Sequence, residues 1–182
     1  MPFAFSSMFG GPAPNVVTAS GPVANGTEQR DVIIDAGAAA VFAGAGDDVY
    51  IGGDTDALVD GAAGNDWLVG GGGTDTLIGA EGDDALIGGA GADVFVFGLG
   101  PGGTGADAGD DRIFGFAAGE DRVSLAGRGL SFADLRIEES YFDLPNGARV
   151  PTTLVTYEGG SVEFVNVAPQ SITADVFLGL TA

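Results

Sequence analysis

From residue 43 the chain falls into a nine-residue register, and that period limits what it can fold into. The frames are AGAGDDVYI (43–51), GGDTDALVD (52–60), GAAGNDWLV (61–69), GGGGTDTLI (70–78), GAEGDDALI (79–87) and GGAGADVFV (88–96). Five of the six place Asp at position 6: Asp48, Asp66, Asp75, Asp84 and Asp93. Glycines at positions 1, 2 and 4 (Gly44, Gly46, Gly64, Gly71, Gly73, Gly82, Gly89 and Gly91 among them) allow positive φ and bring carbonyl oxygens close together. The aspartate adds a carboxylate to that ring of carbonyls, a donor set suited to the roughly six to eight oxygens that calcium takes. Positions 7–9 then read as a short strand with position 8 inward, at Tyr50, Leu68, Leu77, Leu86 and Phe95. One loop alone neither completes a coordination shell nor buries an apolar side chain, whereas stacked loops do both. A glycine-rich unstructured linker would not keep an apolar residue at every ninth position.

Charge points the same way. The 26 acidic residues face 6 basic ones, all arginine, for a net charge of −20. Such a chain repels nucleic acid and anionic membrane, and its compact state needs neutralising cations. The hydrophobic fraction of 45% is ordinary, so a packed core is affordable. There is no cysteine and no histidine. That removes disulfides, zinc–thiolate sites, Ser–His–Asp chemistry and the usual neutral-pH proton shuttle, and leaves oxygen ligands for hard cations. No apolar run approaches the ~20 residues of a membrane helix. The start, MPFAFSSMFGGPAP, lacks the basic and apolar regions of an N-terminal secretory signal. Residues 1–30 read as an extended leader without its own core, in which Phe3, Phe5, Met8 and Phe9 stand out as apolar, and residues 31–34 as an opening strand.

The repeats resemble those of the RTX (repeats-in-toxin) proteins, and residues 88–178 resemble the C-terminal part of serralysin-type metalloproteases. The phrases that carry this are Asp93-Val-Phe-Val-Phe97, Gly109-Asp-Asp-Arg-Ile-Phe-Gly-Phe116, Gly119-Glu-Asp-Arg-Val-Ser-Leu125 and Leu130-Ser-Phe-Ala-Asp-Leu135. Gly159-Gly-Ser-Val-Glu-Phe164 and Thr173-Ala-Asp-Val-Phe-Leu178 match the closing strand pair and terminal motif. The resemblance implies an all-β fold: a parallel β-roll over 31–123, with two nonapeptides per turn, then a β-sandwich-like cap over 124–182. It also implies several calcium ions held between loops 18 residues apart, and export by type I secretion machinery reading an uncleaved C-terminal signal. Two departures accompany it. Four residues, Gly179–Ala182, follow the terminal motif, and the zinc-protease domain has no counterpart. A start at Met and an end past the export motif lead us to expect a complete small protein.

The 18-residue rule sorts the ligands onto two edges. Asp48, Asp66 and Asp84 share the first; Asp75 and Asp93 share the second. On the second, Asp56 falls one place early and frame 34–42 has no aspartate at position 6, so a missing or distorted site is expected there. By resemblance Asp111, with Gly109, and Asp121 are further ligands. Asp47 and Asp83 should point to solvent, and Asp107 and Asp110 should stand beside the metal or in solvent. If position 8 faces inward, positions 7 and 9 face outward. Val49, Ile51, Trp67, Val69, Ala85 and Ile87 then form an apolar stripe, expected to be covered by the leader or the C-terminal strands, or to bind a partner.

No catalytic residue is expected: the close carboxylate pairs lie in calcium loops, where a metal keeps them ionised rather than poised as acids. The expected protein is secreted, extracellular or at the cell surface, and calcium-folded, serving as a structural or assembly component. An extracellular binding module or inhibitor and the detached C-terminal domain of a secreted enzyme are the alternatives.

Overall fold

The computed structural model describes residues 13–97, 109–144 and 146–181. Phe3, Phe5, Met8, Phe9 and Asp107 lie outside the described residues. The chain first runs through β1 (Asn15–Ala19), β2 (Val23–Thr27), β3 (Asp31–Asp35), β4 (Ala40–Gly44) and β5 (Val49–Ile51). Then come β6 (Leu58–Ala63), β7 (Trp67–Gly72), β8 (Thr76–Glu81), β9 (Ala85–Ala90) and β10 (Val94–Val96). They are followed by β11 (Asp110–Phe114), β12 (Arg122–Ser124), β13 (Arg136–Asp143), β14 (Arg149–Tyr157), β15 (Gly160–Val165) and β16 (Phe177–Leu178).

Successive strands go to alternate sheets, as the nine-residue frame demands. Odd strands β1 to β11 stack in parallel in a nine-stranded sheet, and even strands β2 to β12 in a seven-stranded one. Trp67 pairs with Val49 before it and Ala85 after it, so two nonapeptides complete one turn. Alternation turns position 8 inward. Ile33, Tyr50, Leu68, Leu86 and Ile113 from one sheet, and Val41, Val59, Leu77, Phe95 and Val123 from the other, form two buried rows. Each is at most 1% exposed, so this narrow sandwich of side chains is the core.

Two stretches depart from the expected outline. β1 and β2 lie within the residues read as a leader; β1 pairs with β3 and β2 with β4, and Ala19 is fully buried. Small inward residues such as Ala19 and Ala24 leave no hydrophobic alternation to read there. At the other end, the expected cap shares the roll's sheets. β15 pairs in parallel with β11 and starts an antiparallel meander through β14 and β13, while β16 pairs with β12 in the other sheet. Arg112 on β11 bonds Glu163 on β15 at 3.0 Å, a tie across that junction. The Leu130–Leu135 segment forms a short 3₁₀ turn capped by Ser131 and Asp134, and Thr181 N–H donates to the Leu130 carbonyl at 2.7 Å.

Position 2 of the repeat exposes a backbone tension. Gly71 and Gly89 take φ of 107° and 109° there, but the first edge carries Ala62 and Ala80 at φ of 70° and 77°. Alanine in the left-handed region loses roughly 1–2 kcal/mol to the clash of its Cβ. We expect Ala80→Gly to raise stability of the calcium-loaded protein by about 1 kcal/mol in denaturant unfolding. No gain would show that the loop has relaxed around the alanine.

Candidate metal centres along the two edges

The loops that link the sheets stack on two edges, and each edge is held by a ladder of aspartates. On the first, Asp31 N–H donates to Asp48 Oδ1 at 2.7 Å, Asp48 N–H to Asp66 Oδ1 at 2.8 Å, and Asp66 N–H to Asp84 Oδ1 at 2.7 Å. Asp84 N–H continues the ladder to Asp111 Oδ1 at 2.9 Å. On the second, Ala57 N–H donates to Asp75 Oδ1 at 2.9 Å, Asp75 N–H to Asp93 Oδ1 at 2.9 Å, and Asp93 N–H to Asp121 Oδ1 at 3.0 Å. All these aspartates are buried, at 3% exposure or less. Their spacing is 18 residues within the repeats and rises to 27 and 28 on reaching Asp111 and Asp121.

One carboxylate oxygen is thus spent on the backbone. The other, Oδ2, is buried without a hydrogen-bond partner in Asp48, Asp66, Asp75 and Asp93. A side-chain carbon on Gly61, Gly70 or Gly88 would collide with Oδ2 of Asp66, Asp75 or Asp93 of the same frame. One on Gly82 (φ 125°) would collide with the Gly64 carbonyl oxygen of the preceding turn. Glycine therefore leaves room around the orphaned Oδ2 of Asp66, Asp75 and Asp93, whereas the frame of Asp48 carries Ala43 at position 1. Burial pushes the Asp66 carboxyl up to about 8 and that of Asp48 to about 7, with neighbouring carboxylates adding to the rise against the pull of the N–H bond. Asp75 rises to about 6 from the same leading cause, and Asp93 also rises. Among the described residues no three acidic side chains converge on one point. A cation here would draw most of its shell from main-chain carbonyls, which fits a hard, oxygen-coordinated ion such as calcium.

Gly44, Gly46, Gly64, Gly71, Gly73, Gly82, Gly89 and Gly91 take positive φ, whereas the position-1 glycines Gly52, Gly61, Gly70, Gly79 and Gly88, expected there too, do not. Gly109 lies outside that region, yet a Cβ there would meet the Gly82 carbonyl. Asp121 differs from the repeat aspartates in having its Oδ2 filled by Ala117 N–H at 2.8 Å. Asp31, read only as the start of a strand, heads the first ladder, with Oδ2 filled by Thr27 N–H at 2.6 Å. Its Asp-x-Ile spacing was a legible signal; Thr27 and Gln29 at positions 2 and 4 obscured it.

The loop holding Asp56 is in register, contrary to the sequence reading. β6 pairs evenly with β8, and Ala57 occupies position 6, so the frame lacks the aspartate instead of displacing it. Asp56 belongs to a second, exposed ladder at position 5, where its Oδ1 accepts Thr74 N–H at 2.7 Å. On the first edge Asp47, Asn65 and Asp83 likewise accept from Asn65, Asp83 and Asp110 N–H at 2.9–3.0 Å. These outward side-chain oxygens clip successive loops together.

The outer stripe is half covered. Trp67 and Ile51 are 46% and 43% exposed, while Val49, Val69, Ala85 and Ile87 are half-buried. The Phe114 ring stacks on Trp67 at 6.0 Å, and Phe142 meets Phe114 edge-on at 6.2 Å. Beside them runs a groove of about 510 Å³ along the first edge, lined among others by Pro14, Val32, Val49, Trp67, Asp83 and Arg112.

Two outcomes follow from the ladders. Asp66→Asn keeps an Oδ1 acceptor for Asp48 N–H but removes the charge beside Oδ2, so calcium affinity should fall at least tenfold, whereas Asp56→Ala should change it less than about twofold. Equal losses by calorimetry would overturn this assignment of inner and outer positions. The pH response has a definite sign. A carboxyl raised from 3.8 to about 8 supports the metal-free fold while protonated and withdraws that support as pH climbs to about 8. A cation must displace that proton, so the calcium midpoint should rise as pH falls from about 8 to about 6, by up to about tenfold per unit. A flat midpoint would show that these carboxyls are already ionised.

Residues 60–95 match the family model of the RTX calcium-binding nonapeptide repeat, in four copies. Among solved structures, the AlgE6R3 subunit of a mannuronan C5-epimerase from Azotobacter vinelandii is similar at 24% identity, covering 90% of this chain and 78% of that one, with a TM-score of 0.34. The AlgE6R2 subunit of the same bacterium's epimerase is similar at 20% identity, covering 91% of each chain, with a TM-score of 0.41. No curated protein matches the chain. The matched repeats occupy the middle of the stacked ladders: residues 60–95 carry RTX calcium-binding nonapeptide repeats within a chain folded as a parallel β-roll.

Proposed function

We propose that this protein is exported unfolded, folds when calcium enters its edges outside the cell, and serves there as a structural, surface or assembly component. The observation that carries the calcium switch is the set of buried carboxylate oxygens without partners, those of Asp66, Asp75 and Asp93 each against a glycine of the same frame. In this reading Asp48, Asp66, Asp75, Asp84 and Asp93 hold ions between stacked loops, with Asp111 and Asp121 closing the two series. Without calcium, those carboxylates are buried at a desolvation cost, and the glycines retain much chain entropy. Export by a type I system rests on the resemblance of residues 88–178 to serralysin-type C-terminal parts. Calcium scarcity inside the cell would keep the chain unfolded for passage. The reading gives the protein no catalytic role.

A second reading, an extracellular binding module, is favoured by the half-exposed Trp67 beside the groove, since tryptophan concentrates binding energy where it is partly desolvated. Circular dichroism and size in solution test these together. Strand signal should be lost in chelator and appear cooperatively in millimolar calcium, within the range of extracellular modules. A spectrum unchanged by calcium would sink the switch. In calcium an assembly component should run as an oligomer, and a persistent monomer would favour the binding module.

A further inference from the structure

The second edge opens with two loops, 34–39 and 52–57, that carry Ala39 and Ala57 where the repeat has its aspartate. Polar atoms nonetheless gather there. Asp35 Oδ1 accepts N–H bonds from Gly37 at 3.1 Å and Ala38 at 2.9 Å, which fixes the carboxylate in a tight turn. Its Oδ2 is buried without a partner and faces the next loop, where a side-chain carbon on Gly53 would lie 3.2 Å away. Tyr50, on β5, is fully buried, and its hydroxyl also lacks a partner. Tyr50 pairs with Ile33 of β3, two residues before Asp35, and stands two residues before loop 52–57, which puts it at this edge of the core.

The inward rows around Tyr50 hold Ile33, Val41, Val59, Leu68 and Leu77, none with a polar atom. A phenol among them gains nothing from its oxygen unless something meets it, and an unmet buried hydroxyl is costly. Its strand runs directly into loop 52–57, where the position-6 carboxylate is missing.

We propose that Asp35 and Tyr50 form a divalent-cation site outside the repeat pattern, at the opening of the second edge. The Asp35 carboxylate stands in for the absent repeat aspartate, the Tyr50 hydroxyl contributes from the core side, and main-chain carbonyls of the two loops complete the shell. An all-oxygen set with one charge selects calcium over softer metals. The proposal rests on the calcium reading of the edges and adds one ion to it.

Native mass spectrometry of the calcium-saturated protein counts the ions. Asp35→Asn, which preserves an Oδ1 acceptor for Gly37 and Ala38, should lose one ion and keep the strand signal. Tyr50→Phe fills the same space and should keep the count while weakening one site about tenfold in a calorimetric titration. An unchanged count in Asp35→Asn overturns the site. Should Asp35→Asn fail to fold, the Tyr50→Phe isotherm decides, and one identical to wild type overturns the proposal. A wild-type chain that binds no calcium at all would instead bring down the repeat reading on which it stands.

Discussion

Every turn of this roll hangs on a buried aspartate that serves two masters. One carboxylate oxygen accepts the main-chain N–H of the loop a turn earlier, as Asp84 does from Asp66 and Asp66 does from Asp48. In Asp66, Asp75 and Asp93 the other lies against a glycine of the same frame. The first bond sets the stacking distance and register of the loops. The second oxygen leaves a desolvated charge, which raises the carboxyl's pKa and makes a cation the natural partner. The bond that stacks the loops therefore also holds the second oxygen in its buried place.

Coupling between the edges and the core follows from the shortness of the strands. Position 6 is two residues from position 8, so a loop that holds its aspartate in place also holds its inward side chain in the buried row. Each inward residue is covered only by its neighbours along the roll and by the opposite sheet. This is the logic of a linear repeat protein, in which nearest-neighbour interfaces carry the stability. The ends of such a stack need special treatment, and here the chain supplies it. Thr27 fills the spare oxygen of Asp31 at one end of the first ladder, and Ala117 fills that of Asp121 at the far end of the second. The first sheet is continued by an antiparallel meander whose last-added strand, β13, is tied at its end to β14 by the exposed pair Asp143–Arg149.

Much of this was legible before any coordinates, because the period is carried by residue types with strict roles. Asp at position 6 and an apolar residue at position 8 identify the ladder and the core in every intact frame. What escaped reading did so for local reasons. Asp31 sits in a frame whose turn residues are Thr27 and Gln29, so the glycine signal was absent although the carboxylate was in place. The strands of the first thirty residues turn alanine inward, and alanine does not announce a core. Asp56 was misread as a displaced ligand because position 5 and position 6 look alike in a string of letters. In three dimensions one faces solvent and the other faces the metal cradle.

The amino-acid sequence by itself determined the roll, its two edges, the inward rows and the oxygen chemistry of the loops, because a nine-residue period with fixed glycine and aspartate admits one way of stacking. Only the tertiary structure decided where the stack begins, which edge Asp111 joins, and how the C-terminal strands continue the sheets. The first rests on β1 pairing with β3, and the others on pairings between segments 27 to 51 residues apart, such as Asp84 with Asp111 and Arg112 with Glu163, across stretches that keep no period. The position of the Tyr50 hydroxyl among apolar side chains near Asp35 belongs to the same class. A side chain's reach across a core is set by packing, which local sequence does not encode.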